Sequence, residues 1–331
     1  MTYSAGGLIQ ATDYNGFVST TAGANVNGLW STGTTDAGYG QSALATVSAA
    51  GTVTASQWAS LVNTISSMAS HQGTTITSRT APVAGNTISI LAALNTDLAS
   101  LTTNRGFAAA VGTEITSFTG TTSKTGTTGI GTSAWAITFT HTITFANANA
   151  ARYFWNAGGL ARIRFSKTVD ATDADTEWND LANTLCGQIY ISGRVNGTAQ
   201  TIAGTSYTGT TKIGGTGTPN TLATTTGWYT LTTTDTIIYK QFADTAPYTG
   251  QYIQVQAKTA TSGTQLVLTT TWYDPGGSTP GSTDYISGGT ATASPFTAFG
   301  TAPATVVTLI PPSSTYLSAS WGTPSIAAAT V

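Results

Sequence analysis

The spacing of apolar side chains changes period once along this chain, near residue 134. Before that point they recur every three or four residues, as on one face of a helix; after it they alternate with polar residues, as on a half-buried strand. Trp58, Leu61, Val62, Ile65 and Met68 form the best helical stripe, and Thr54 followed by Gln57 has the arrangement of a capping box at its start. An earlier stripe of Tyr14, Phe17, Val18, Val26, Leu29 and Trp30 begins near Thr12 or Asp13 and is stopped by Gly33. A third runs from about Asn86 to Asn104, with Ile90, Leu91, Leu94, Leu98 and Leu101 facing one way and Gly106 just past the end. Such short helices need partners for their apolar faces, either one another or copies in neighbouring subunits.

From Trp135 to Phe145 the alternation is strict. Trp135, Ile137, Phe139, His141, Ile143 and Phe145 share one face, against Ala136 and four threonines on the other. Strands are expected in the same way at Arg162 to Ser166, Gln188 to Val195, Gly227 to Thr234, Asp235 to Phe242, Gln251 to Thr259 and Gln265 to Tyr273. Turn chemistry such as Asn196-Gly197 and Asp274-Pro275-Gly276-Gly277 separates most of them. No helix-length segment is visible between these runs, which favours antiparallel over parallel sheets. No self-similarity at a period of roughly 20 to 50 residues suggests a solenoid or a β-helix. The expected fold is α+β, mainly β. Residues 1–111 form a helical anchoring and oligomerisation region, 112–134 a Gly/Thr/Ser-rich linker, and 135–331 an antiparallel β domain of sandwich or barrel-like form.

Composition removes several classes of function. The 331 residues carry 11 basic and 13 acidic side chains, 7% charged against a usual ~25%. With 8 Trp, 13 Tyr and 10 Phe the chain is nevertheless no disordered tail. At ~150 Å² each and ~25 cal/mol/Å², those rings contribute on the order of 100 kcal/mol of gross burial. The basic residues form no run, so nucleic acid is not an expected partner. Cys186 stands alone, which leaves no intrachain disulfide and no zinc motif and favours a buried thiol. The amino terminus lacks the basic and apolar regions of a signal peptide, and no apolar run approaches ~18 residues. A soluble chain that reaches the exterior by lysis, with no membrane insertion, is the expectation.

Charge is concentrated. Arg152, Arg162, Arg164 and Lys167 precede Asp170, Asp173, Asp175, Glu177 and Asp180, while nothing after Asp284 is charged. As a calcium loop the acids lack a glycine at the turning position and a glutamate at the closing one. As a glycosidase pair, Asp173 and Asp175 have suitable spacing on a strand but no cleft suggested around them. An ion-pair cluster of the arginines with the acids, orienting a short helix at Glu177 to Leu181, is the preferred reading. His141, on an apolar strand face, reads as a hydrogen-bonded core residue, with a metal site on a three-fold axis as the sharper alternative. His71 reads as a residue of a last helical turn that interacts with the helix dipole. Neither has a Ser or Cys neighbourhood typical of a triad, and no GxSxG or P-loop occurs. The doublets Trp228-Tyr229 and Trp272-Tyr273 place one ring inward and one outward if they lie on strands, the outward ring being available to a subunit interface or a sugar.

Four stretches carry a resemblance. NAARYFWNAGGLARIRFS over Asn149 to Ser166, together with ATDYN, VNGLWSTGTTDAGYGQS and VTASQWASLVNTISSMASHQGT nearer the start, resembles virion structural proteins of tailed bacteriophages, of the tail fibre type. The matching stretches lie within roughly the first 180 residues; the remainder is similar in style. The resemblance implies a non-enzymatic virion component of the tail that contributes to host attachment, with no cofactor and no catalytic residue. Its implied partners are copies of itself, as a homotrimer, other tail or baseplate proteins, and a host surface glycan. A capsid decoration or neck protein is the nearest alternative, and a polysaccharide-degrading tailspike the next.

Overall fold

The computed structural model describes residues 10–19, 25–85, 91–119, 135–167, 173–193, 198–246, 248–275 and 303–330. Its helical part comprises α1 (Ala11–Ser19), α2 (Val26–Trp30), α3 (Ala55–Gln72) and α4 (Leu91–Thr103). The capping box forms as expected: the Thr54 hydroxyl accepts from the Gln57 amide at 3.3 Å, and the Gln57 side chain accepts from the Thr54 amide at 2.8 Å. Such a cap contributes typically ~1 kcal/mol. Gly73, at φ 66, closes α3 in the left-handed conformation that a side chain would strain. The first stripe, expected as one helix, is two. Asn25 is extended at φ −133 and caps α2 afresh by accepting from the Gly28 amide at 2.7 Å. Tyr14 and Phe17 of α1 meet Trp58 of α3 edge-on, with ring centroids 5.6 and 6.2 Å away.

The rest is mainly β, in antiparallel sheets. In order come β1 (Ile115–Thr119), β2 (Trp135–Thr144), α5 (Ala148–Asn156), β3 (Leu160–Ser166), α6 (Asp173–Asn179) continued by a π turn over Asp180–Leu185, and β4 (Gln188–Ile191). There follow β5 (Gln200–Ile202), β6 (Thr205–Tyr207), β7 (Thr210–Ile213), β8 (Thr221–Leu222), β9 (Thr236–Phe242), β10 (Tyr252–Ala260), β11 (Gln265–Asp274), β12 (Ala304–Ile310) and β13 (Ser325–Thr330). One sheet has the order β1-β12-β3-β4-β7 and the other β13-β2-β11-β10-β9-β8, with β5-β6 a separate hairpin. Side chains of the two sheets meet: Phe165 of β3 stacks on Tyr239 of β9, and Trp272 of β11 donates to the Thr305 hydroxyl of β12 at 3.2 Å. Neither sheet closes into a barrel among the described residues.

Several expectations are corrected. The segment 112–134, expected as linker, contains β1, because Ile115 to Thr119 pair in full register with β12; residues 120–134 lie outside the described residues. Gly227 to Thr234 is not a strand. Trp228–Thr230 is a single 3₁₀ turn, closed by the Gly227 amide donating to the Thr230 hydroxyl at 2.9 Å, and it swings Trp228 into the core. Helices do interrupt the strands. α5 starts at an Asn147 cap, whose side chain accepts from the Ala150 amide at 2.9 Å, and it buries Ala150, Ala151, Phe154 and Trp155 on one face.

The helical part and the sheets contribute to one apolar core. Polar contacts join them too. His71 Nε2 lies 3.0 Å from the Ala157 carbonyl, Asn156 donates to the Gly38 carbonyl at 3.0 Å, and Gln41 exchanges two hydrogen bonds with the Ser318 backbone at 2.9 and 2.8 Å.

Candidate functional site

The two aromatic doublets behave differently. Trp272 and Tyr273 lie on β11, so the pleat sends them to opposite faces. Trp272 is fully buried, 5.5 Å from Trp178 and 6.4 Å from Phe165, while Tyr273 is half-buried on the outer face. Trp228 and Tyr229, on the 3₁₀ turn, both serve the fold. Trp228 stacks on Trp155 at 5.4 Å and 19°, and the Tyr229 hydroxyl donates to the Thr35 carbonyl at 2.9 Å. Of the expected contact residues, Tyr273 is therefore the one that the strand pleat sets outward.

Strand register puts Tyr273 in a larger arrangement. Ala136, Tyr273, Tyr252 and Phe242 form one row across β2, β11, β10 and β9, and Thr138, Thr271, Gln254 and Lys240 form the next. Thr140, Thr269 and Gln256 continue the pattern. Tyr252 and Tyr273 stack at 4.8 Å and 26°, and Phe242 meets Tyr252 at 5.2 Å. Lys240 Nζ stands 3.6 Å from the Tyr252 ring centroid and 4.6 Å from that of Phe242, a cation over two ring faces. Burial lowers the Lys240 ammonium from its usual range, and burial followed by the Tyr273 hydroxyl raises the Tyr252 phenol. This outer face is thus hydroxyl- and amide-bearing, with aromatic rings and the Lys240 cation at one end. Such groups bind by stacking and hydrogen bonding; they supply no nucleophile with an adjacent base.

Among the described residues, Arg152 and Arg162 of the charge cluster find partners outside it. Arg152 donates to the carbonyls of Ala37 at 2.9 Å and Thr32 at 2.6 Å instead of to an acid. Arg162 forms a two-pronged pair with Glu114, at 3.1 and 2.8 Å, a partner from before β1 and outside the cluster. Cross-strand neighbours decide this: Arg162 on β3 sits opposite Thr308 of β12, and β1 lies just beyond. Arg164 is exposed on β3. The Lys167 carbonyl accepts from Asn183 at 2.6 Å and also from Asn179, tying the end of β3 to the following helix. Asp170 lies outside the described residues. Asp173 and Asp175 fall within α6, on a helix and not on a strand, and their side chains lie outside the described residues. Glu177 is buried, with Asp180 and Asp244 close by. Sequence reasoning missed Asp244, Lys240, Phe242 and Tyr252. For the last three the parity of β9 and β10 was a usable signal, since inward Ile253 and Val255 send Tyr252 and Gln254 outward.

His71, His141 and Cys186 are internal. His71 is buried at the end of α3 with its ring against Ala157, so it bonds across elements and is not a charged partner of its own helix dipole; burial lowers its pKa to about 4. His141 faces inward on β2, fully buried, and burial lowers it likewise to about 4. Cys186 is buried, and burial pushes its thiol up to about 12. Among the described residues, no helix is long and apolar enough to cross a membrane. Comparison with protein-family models, curated proteins and solved structures finds no match to this chain.

Proposed function

We propose that the protein is a non-enzymatic structural component of a tailed-phage virion, of the tail fibre or tail-appendage type, and that the outer face of its six-stranded sheet contributes to attachment. The observation that carries this reading is the row Tyr273, Tyr252, Phe242 beside Thr271, Gln254 and Lys240. Stacked rings offer an apolar platform to the C–H face of a sugar, and the neighbouring hydroxyls and amide satisfy its hydroxyl groups. The resemblance over the first 180 or so residues supports the virion assignment, and the low charge suits a particle exposed to variable salt. A homotrimer is the proposed assembly, with other tail or baseplate proteins as neighbours.

Gold-labelled antibody against residues 135–331, imaged on intact particles by electron microscopy, tests the placement. Label at the tail or its tip supports attachment, and particles carrying Tyr252→Ala/Tyr273→Ala should then adsorb at least tenfold more slowly. Label over the head makes this a decoration protein instead, and normal adsorption by the double variant removes the aromatic row from the account.

A further inference from the structure

The helix after β3 carries Glu177 and Asp180, spaced so that both carboxylates leave the same side. Asp244 reaches the same place from the connection between β9 and β10. One carboxylate oxygen from each lies within 4.8 Å of the others. Oxygens on opposite sides of a calcium ion, each at ~2.4 Å, are about 4.8 Å apart, so every pair in the trio fits inside one coordination sphere. Proximity of acids alone is common on protein surfaces and identifies nothing.

Glu177 separates this trio from an ordinary acidic patch. It is 6% exposed, and its Oε1 atom has no hydrogen-bond partner among the described residues. Buried polar atoms are nearly always satisfied, and a carboxylate oxygen is among the costliest to leave bare. The groups that act on the Glu177 carboxyl are Thr245, through its amide and hydroxyl, and the acids Asp180 and Asp244; no lysine or arginine is among them. Burial foremost, with the two neighbouring acids adding to it, holds this carboxyl above the usual range despite Thr245. Asp180 also opens the π turn, a local widening of the helix that is frequent at functional sites.

We propose that Glu177, Asp180 and Asp244 form a calcium site that clips the β9–β10 connection to the helix following β3. An all-oxygen, carboxylate-rich donor set selects a hard cation over zinc or copper. Asp244 is exposed, which leaves one side open to the water ligands that complete calcium's six to eight positions. The site differs in kind from a contiguous calcium loop, because its third carboxylate comes from another sheet element.

The full-length chain, stripped with EGTA, is titrated with Tb3+ under tryptophan excitation, then with Ca2+ as competitor, and its thermal unfolding is followed with and without Ca2+. Trp178, adjacent to Glu177, should sensitise Tb3+ emission, Ca2+ should displace it, and saturating Ca2+ should raise Tm by roughly 5 °C. Glu177→Gln and Asp244→Asn should each abolish both effects while unfolding, without calcium, no lower than the unsubstituted chain, since each removes a like charge. No calcium-dependent rise in the unsubstituted chain, or a rise that survives both substitutions, overturns the site. An equal rise with Mg2+ at the same concentration overturns the choice of calcium. Should Glu177→Gln fail to fold, Asp244→Asn at an exposed position decides alone.

Discussion

His71 and His141 are both sealed in the core, and burial makes the protonated imidazole unfavourable in each, with the pKa near 4 in both cases against 6.5 in an unfolded chain. Between those values the unfolded state binds more protons than the folded one, so stability must rise with pH there. Their contribution is fully present above pH 6.5 and is lost as pH falls toward 4. From about pH 7 to pH 5 the loss amounts to about 2 kcal/mol per histidine. Urea unfolding at a series of pH values checks this, and His71→Gln should remove about half of the slope between pH 6.5 and 5 while leaving the remainder to His141. An unchanged slope in that variant would mean that His71 is already charged in the folded protein. Chemistry of this kind is readable from sequence only as an inward position on a stripe: His141 was legible because β2 alternates, whereas His71 required knowing that α5 ends against α3.

At the scale of elements, the turn from α5 into β3 shows why NAARYFWNAGGLARIRF has its glycines. Gly158 has φ +92 and lets the chain reverse, and Gly159 lies so close to Phe154 that an added Cβ would stand 2.3 Å from the ring. That ring is fully buried, 5.2 Å from Phe145 and 4.9 Å from Trp155, and has no flexible end to move aside. Gly159→Ala should therefore destabilise by about 1–3 kcal/mol through overpacking, seen as a lower urea midpoint at unchanged m-value. A neutral result would show that α5 can shift on the sheet. The elements that were legible share one property: local signals and burial agree. α3 has both caps and a stripe, and β2, β10 and β11 have clean alternation. Those that were misread had their local preference overridden. Trp228-Tyr229 looks like strand until stacking on Trp155 draws the turn inward, and Thr116 and Phe118 of β1 sit in text too poor in apolar residues to announce a partner almost two hundred residues away.

The candidate site is a property of the whole molecule for the same reason. The row Ala136, Tyr273, Tyr252, Phe242 exists only once four strands are in register, and the Glu177–Asp180–Asp244 trio only once the β9–β10 connection meets the helix after β3. Charge is sparse enough that assembly does not depend on it. Arg79 with Asp97 is buried and so poorly screened, while Arg105 with Asp36, Arg162 with Glu114 and Lys258 with Asp235 are partly exposed pairs worth ~0–1 kcal/mol each. The fold rests instead on a large apolar core that includes Trp58, Trp155, Trp178 and Trp272, with a smaller cluster around Leu160, Tyr190 and Ile202, and salt does not screen burial. Thermal unfolding at neutral pH, with calcium held constant, should accordingly move by less than about 2 °C between low and high NaCl, a range over which the Debye length falls from ~30 Å to a few ångströms. A fall well beyond that would locate substantial stability in the partly exposed pairs Arg105–Asp36, Arg162–Glu114 and Lys258–Asp235, which salt screens, and not in the buried Arg79–Asp97 pair.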